Sequence, residues 1–450
     1  MEKYPNNKEK EFLGGIDLEA SRKLNDEIAE LTKEGYDVQV GERTDPAYKN
    51  PQGIKKVFSY LKDRCEKFNE EHLKFLYTHA SMAALAKCLG KIPLLGRWTV
   101  DKWNERVEEI LEYHRGDLLY DANETNSEPW HKQRGSASTF LSIAEAYALA
   151  VIDDDKLVFP GKYPTMSGPI DESLFEEKVN DKPLREAMIE AQMNRGGESR
   201  QQAEQSVNER LQSVQEFISA PVTPKFAEII KYCADGIGIR ERKDIVNRHM
   251  IKHLKKTAER DEGRSINDML IMSFGCGTAL PTLQMMKALK KETGQAPTVI
   301  LLDQDPLSLA AAQNLARQMG LEENIEVHCQ RLFSKLGRPL GLEKVLKGRL
   351  LDIAEDSGLR EYLPDVVYRK LTKESWRFLR GGGRMVTGNM NENRPQKEFL
   401  HGLMGWLPRV TMRKIKRSFE LLIESGVPRE AISAEVAPSG VYTIFTAEKP

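Results

Sequence analysis

Residues 269–279 read Met269-Leu-Ile-Met-Ser-Phe274-Gly275-Cys-Gly277-Thr-Ala279. The uncharged, mostly apolar run up to Phe274 is a short buried strand, and the glycines after it turn the chain tightly. Leu280 to Lys291 then has the apolar spacing of a helix. Backbone N–H groups at such a helix start favour electron-rich ligand groups. The next apolar run, Thr298-Val-Ile-Leu-Leu302, is a second strand ending at Asp303. A carboxylate at that position can accept hydrogen bonds from both hydroxyls of a ribose. A GxG turn or a strand-end acid is common by itself. In this order the two place a nucleoside-containing cofactor at the carboxyl edge of a parallel sheet.

The same grammar continues outward. Leu307 to Met319 is an alanine-rich helix, Asn324 to His328 a third strand, and Leu350 to Ile353 a short fourth. Val366 to Leu379 is helical, and Gly381-Gly-Gly383 leads into the strand Arg384-Met-Val-Thr387. A helix covers Ile415 to Ser425. Ile432 to Val436 and Val441 to Ala447 form an antiparallel pair around Pro438-Ser-Gly440. Strands alternating with helices predict a parallel sheet covered on both faces. A dinucleotide fingerprint would place a third glycine where Leu280 stands, so an NAD- or nucleotide-sugar-dependent enzyme is a lesser alternative. A helix over Ile239 to Lys256 precedes the first of these strands, and its Arg240, Arg242 and Arg248 are expected near the cofactor entrance.

The first half reads differently. Ile54 to Ala86 has apolar residues at helical spacing, Trp98 to His114 continues in that style, and Thr139 to Val151 is an apolar helix. Phe159 to Asp171 is a Pro/Gly loop and Glu198 to Phe217 a polar helix. The prolines of Ser219-Ala-Pro-Val-Thr-Pro224 mark a boundary. The expected organisation is therefore a mainly α-helical N-terminal domain over 1–225 and an α/β, Rossmann-like domain over 226–450.

Over roughly residues 240 to 450 the chain resembles the class I S-adenosylmethionine-dependent methyltransferases. LIMSFGCGTA is similar to their glycine-rich motif, VILLDQDPLSLAAAQNLA to their second strand and following helix, and WRFLRGGGRMVTGN to the motif before their fifth strand. A narrower resemblance, in DSGLREYLPDVVYRKL, GGGRMVTGNM and VAPSGVYTIF, is to the methyltransferases of 3-hydroxypalmitic acid methyl ester biosynthesis. The chain departs from the broad pattern at Ser273, where an acid usually stands, at Ala279 in place of a third glycine, and at Gly381 in place of proline.

The resemblance implies S-adenosyl-L-methionine as cofactor. It implies that Ser273, Gly275, Cys276 and Gly277 line its methionine end, that Asp303 binds the ribose, and that Gln304 sits beside the adenine. Gln330, Arg331 and Leu332 fall where contacts to the adenine edge arise. Asp356, Ser357 and Gly358 follow the fourth strand, where methyl group and acceptor meet. Asp356 is thus a candidate for cofactor binding and, with Glu355, for a general base. Asn389 is a candidate substrate contact or loop cap, and Trp406 and Tyr362 are candidate pocket walls. The expected activity is methyl transfer to a small-molecule acceptor of carboxylic or lipidic type. A non-catalytic cofactor-binding or regulatory module with the same fold is the other alternative.

Composition narrows the partners. Among 450 residues, Lys+Arg 67 and Asp+Glu 68 give a formal net charge of -1. A dedicated nucleic-acid binder usually carries a basic excess, so no nucleic acid is expected. Five scattered cysteines with no CxxC pair predict neither a disulfide framework nor a zinc site. His249 and His253 share a helix face but lack a third ligand, so no metal is expected. A charged N-terminus and no long apolar run predict a cytoplasmic chain without membrane insertion. Homodimerisation through the helical half is a further expectation.

Overall fold

The computed structural model describes residues 11–78, 137–150, 164–171, 173, 177, 180–196, 199–261, 263–333, 341–399 and 410–450. In chain order its elements are α1 (Leu18–Lys33), β1 (Asp37–Val40), α2 (Pro51–Thr78), α3 (Ala137–Ala150), α4 (Lys182–Gly196), α5 (Arg200–Ile218), α6 (Pro224–Tyr232), α7 (Ala234–Arg260), β2 (Leu270–Phe274), α8 (Leu280–Thr293), β3 (Thr298–Asp303), α9 (Pro306–Gln318), β4 (Ile325–Cys329), α10 (Leu342–Leu346), β5 (Leu351–Asp356), α11 (Asp365–Phe378), β6 (Leu379–Met390), α12 (Ile415–Glu424), β7 (Ile432–Val436) and β8 (Tyr442–Glu448). The expected helix over Trp98 to His114 lies outside the described residues.

The strands form one sheet in the order β1-β7-β8-β6-β5-β2-β3-β4. All neighbours are parallel except β8, which runs antiparallel between β6 and β7. This is a Rossmann-like α/β sheet with a C-terminal antiparallel strand pair. Period-two alternation divides the core between its faces. Leu270, Met272 and Phe274 pack with Leu24, Leu31, Tyr368 and Phe419 on the side of α1, α11 and α12. Ile271, Val299, Leu301 and Ile353 pack with residues of α7, α8 and α9 on the other. Each such side chain, fully buried, contributes about 1.5–3 kcal/mol relative to exposure.

The expected boundary between residues 225 and 226 is crossed by this packing. Asp37 to Val40 of β1 pair with Ser433 to Val436 at the sheet edge. One apolar cluster runs from Leu13 and Ile54 through Tyr147 and Leu211 to Ile444. The strand β1 escapes sequence reading because it is short, half-polar and bound on one side alone.

Two further differences have local causes. The strand β6 begins at Leu379, ahead of the expected start at Arg384, and incorporates the glycines expected to lead into it. The Gly382 N–H donates to the Lys449 carbonyl at 2.7 Å, and the Lys449 N–H to the Gly383 carbonyl at 2.8 Å, so the glycines stay in the sheet. Gly382 has φ of +73°, and the β5/β6 register shifts between Leu351 and Ile353, as in a bulge. The helix α7 starts earlier than expected because the Cys233 sulfur accepts from the Gly236 N–H at 3.3 Å and caps it. Its Gly238 lets it lie against β8, since a Cβ there would meet the Val441 Cβ at 2.7 Å.

His253 of α7 is buried at 1% exposure. Burial, then Arg384 and Arg260, push its imidazole down from the ordinary 6.5 to about 4, against a weaker upward pull from Glu448. The unfolded chain therefore binds the extra proton first as pH falls. Stability from this group is complete above pH 6.5 and lost towards pH 4. The full shift corresponds to about 3 kcal/mol. In urea unfolding, the stability of wild type relative to His253→Leu is expected to fall by most of that amount from pH 7 to pH 4. A difference that does not vary with pH would mean that His253 is not held neutral.

No helix among the described residues is long and apolar enough to cross a membrane.

Candidate functional site

The strands β2 and β3 end side by side, with Phe274 opposite Leu302. On the other side of β2, Ser273 lies opposite Glu355 of β5. The chain leaves β2 for β3 and β4 on one side, then returns to add β5 and the later strands on the other. The carboxyl edge of β2 is therefore the switch point of the sheet, where open α/β sheets place their ligands. A cavity of about 410 Å³ opens there.

The cavity floor is the glycine turn. The Gly275 N–H donates to the Leu302 carbonyl at 2.7 Å, which folds the turn back over β3. Gly275 and Gly277 have φ of +61° and +55°. A Cβ on Gly275 would stand 3.0 Å from the Leu359 Cδ1, so both backbone and space call for glycine. Ala279, where a third glycine was absent from the sequence, also has a positive φ of +53° and caps α8. The left-handed geometry persists there without the glycine, at a cost of about 1–2 kcal/mol.

Asp303 ends β3 against this turn. Its Oδ2 accepts from the Gly277 N–H at 3.0 Å and its Oδ1 from the Asp305 N–H at 2.9 Å. Burial, eased by these backbone donors, raises its pKa above the ordinary carboxylate value. Asp305 is fixed in turn by Arg210 of α5, whose Nη2 donates to Oδ1 at 2.6 Å. Gln304 and, after β4, Gln330 and Arg331 complete this side of the cavity.

Glu355 stands on the opposite side. Its Oε2 accepts from the Ser273 hydroxyl at 2.5 Å, and its Oε1 from the Ser357 N–H and hydroxyl at 2.7 and 2.5 Å. Burial raises its pKa, opposed by those serine donors. Arg242 of α7 also reaches the cavity. It lies over the Tyr442 ring at 4.8 Å and pairs with Glu145 of α3 and, at 3.5 Å, with Glu361. Burial raises the Glu361 pKa to about 7, with Arg242 opposing.

The structure brings Ser273, Gly275, Cys276, Gly277, Asp303 and Gln304 together on the cavity lining, with Gln330, Arg331, Leu332, Ser357, Gly358 and Tyr362. It directs Asp356 and Asn389 elsewhere. The Asp356 carboxylate is locked against Arg360, at 2.7 Å from Nε and 2.6 Å from Nη2. Successive strand residues face opposite ways, and here Glu355 lines the cavity while Asp356 turns to Arg360. Asn389 donates to the Met390 carbonyl and accepts from Arg413, at 2.7 and 2.9 Å. Of the three arginines, Arg242 lines the cavity, Arg240 pairs with Asp45, and Arg248 pairs with Glu435. Trp406 lies outside the described residues.

Glu145 and Leu149 of α3 are lining residues that sequence reading missed. No local motif marks them, because packing of α3 against α7, α9 and α5 carries them to the sheet edge. Burial, then Asp303 and Glu355, raise the Cys276 thiol well above its ordinary value, which disfavours the thiolate. Among the described residues no group of three metal-ligating side chains occurs.

The sheet order and the switch-point cavity together define a Rossmann-like α/β protein with a built site at the strand ends. No family model matches the chain. No curated protein matches it either. Solved structures are similar to it. A possible exported protein from Bordetella parapertussis is 18% identical, covering 62% of this chain and 97% of that one, with a TM-score of 0.38. An S-adenosylmethionine-dependent methyltransferase in its apo form is 14% identical, covering 62% and 96%, with a TM-score of 0.33. Magnesium protoporphyrin IX methyltransferase from Synechocystis with bound S-adenosylhomocysteine is 11% identical, covering 47% and 87%, with a TM-score of 0.32. Such likeness extends to the fold alone, and the fold rests on the strand order above.

Proposed function

We propose that the chain is an S-adenosylmethionine-dependent methyltransferase acting on a small-molecule acceptor with an apolar body. The observation that carries this reading is Asp303. It is a buried carboxylate at the end of β3, tied to the glycine turn by the Gly277 N–H and facing the switch-point cavity. Its two oxygens accept one backbone N–H each. That leaves acceptor capacity for two ribose hydroxyls. A volume of about 410 Å³ is in the range of small-molecule sites.

When bound, the sulfonium supplies a methyl group activated for in-line displacement. The chain's task is alignment, which can contribute up to about 7–11 kcal/mol in ideal cases. Gly275 to Gly277 allow close backbone approach, Asp303 fixes the ribose, and Gln304 and Gln330 stand on the adenine side. Leu149, Leu359, Tyr362 and Leu363 support an apolar or lipidic acceptor. A carboxylate head on that acceptor would have to displace Glu145 from Arg242. A hydroxyl or amine would instead find Glu145 as the carboxylate on that side.

Calorimetric titration of the full chain tests the reading, with NAD as comparator. Micromolar binding of S-adenosylmethionine and S-adenosylhomocysteine is expected, with none for NAD. Folded protein that binds neither sulfur nucleoside would overturn it.

A further inference from the structure

Glu355 is a buried carboxylate on the cavity lining at 6% exposure. Its polar neighbours are the Ser273 hydroxyl, the Ser357 N–H and hydroxyl, and Asp356, none of them cationic. Asp303 across the glycine turn likewise has backbone donors and no cationic partner among the described residues, but three other buried carboxylates nearby are paired. Asp356 has Arg360, Glu361 has Arg242 and Asp305 has Arg210. A buried charge is costly unless it is paired. Among the described residues Glu355 has its hydrogen bonds but no ion-pair partner, and it faces the cavity, from which a ligand can supply one.

Position narrows the ligand further. Asp303 ends the strand on one side of β2, and Glu355 lies at the end of the strand on the other. Strand spacing puts them about 10 Å apart across the glycine turn. A molecule with hydroxyl donors at one end and a cation about that far away at the other would match the two carboxylates.

We infer that Glu355, oriented by Ser273 and Ser357, is the receptor for the ammonium group at the amino-acid end of the cofactor. The inference rests on the cofactor reading above. It removes Glu355 from candidacy as a general base, since its remaining acceptor site faces the ammonium and taking up a proton would break that pair. It also gives Ser273 a task. In place of an acid at the end of β2, its hydroxyl orients a carboxylate contributed by β5.

S-adenosylhomocysteine is the decisive probe, because its sulfur is neutral and its ammonium is its only cation. Calorimetry on the full chain compares it with its deaminated analogue, which keeps the carboxylate, and with 5′-methylthioadenosine, which lacks the amino-acid end. Loss of the amine is expected to weaken wild-type binding about 10–100-fold, the scale of a hydrogen bond to a charged group. Glu355→Gln keeps partners for both serines. It is expected to weaken S-adenosylhomocysteine by a similar factor and to leave 5′-methylthioadenosine unchanged. Equal affinity of the wild type for the aminated and deaminated ligands would overturn the inference, and this comparison stands even if the variant fails to fold. So would a Glu355→Gln protein that binds S-adenosylhomocysteine normally, or one that loses both nucleosides equally. A wild-type chain that binds none of the three overturns the cofactor reading itself, and this inference with it.

Discussion

Asp303→Asn is expected to weaken S-adenosylhomocysteine binding at least 100-fold in calorimetry. The carboxylate has two roles, and asparagine, with a single acceptor oxygen and no charge, serves each only in part. It holds the turn by accepting from the Gly277 and Asp305 N–H groups, one on each oxygen. An amide has one oxygen and one NH2, so one of those N–H groups would face another donor. The carboxylate is also proposed to accept two ribose hydroxyls. Each hydrogen bond to a charged group contributes about 1.5–3 kcal/mol, so losing two amounts to about 3 kcal/mol or more. Because the ribose is common to both ligands, 5′-methylthioadenosine should be weakened as well, which separates this variant from Glu355→Gln. An Asp303→Asn protein with native circular dichroism and an affinity within about 3-fold of wild type would remove the main support for a nucleoside site.

Asp356→Ala is expected to lower folding stability by about 3–5 kcal/mol without abolishing cofactor binding by the protein that remains folded. Asp356 and Arg360 are both essentially inaccessible, at 1% and 0% exposure. Arg360 also donates to Thr372 and lies over the Tyr368 ring at 4.3 Å. Removing the aspartate leaves a guanidinium buried without its countercharge. Replacing both, as Asp356→Leu with Arg360→Met, should recover most of the loss, because two apolar groups need no partner. Urea unfolding gives the stabilities, and titration with S-adenosylhomocysteine at low temperature gives the binding. A loss under about 1 kcal/mol would mean that the pair is hydrated. An intact fold that no longer binds would return Asp356 to the site.

The pair of neighbours at the end of β5 shows where sequence reading stops. Glu355 and Asp356 are adjacent acids after an apolar strand, and nothing in their order says which faces the ligand. Strand alternation turns the two side chains opposite ways, but its phase is set by pairing. Opposite Ser273 of β2, Glu355 falls on the cavity side, and Asp356 is left to Arg360. Asn389 was ambiguous in the same way, and the structure gives it to Arg413 and the Met390 carbonyl.

What the sequence determined by itself is local. Apolar runs ending in Gly275-Cys-Gly277 and in Asp303 specified two strand ends, a tight turn and a carboxylate beside it. The alternation of strands and helices after residue 226 specified a parallel sheet with a closing antiparallel pair. These follow from backbone sterics and from side-chain periods of 2 and 3.6, which act between near neighbours. Tertiary structure alone decided the rest. It carried β1 to the sheet edge, brought Arg210 to Asp305, placed Arg242 between Glu145 and Glu361, and set Ser273 on Glu355. These contacts join residues far apart in the chain. Their strength comes from burial, which makes an unpaired charge costly and so fixes which acid takes which cation, and which acid is left facing the ligand.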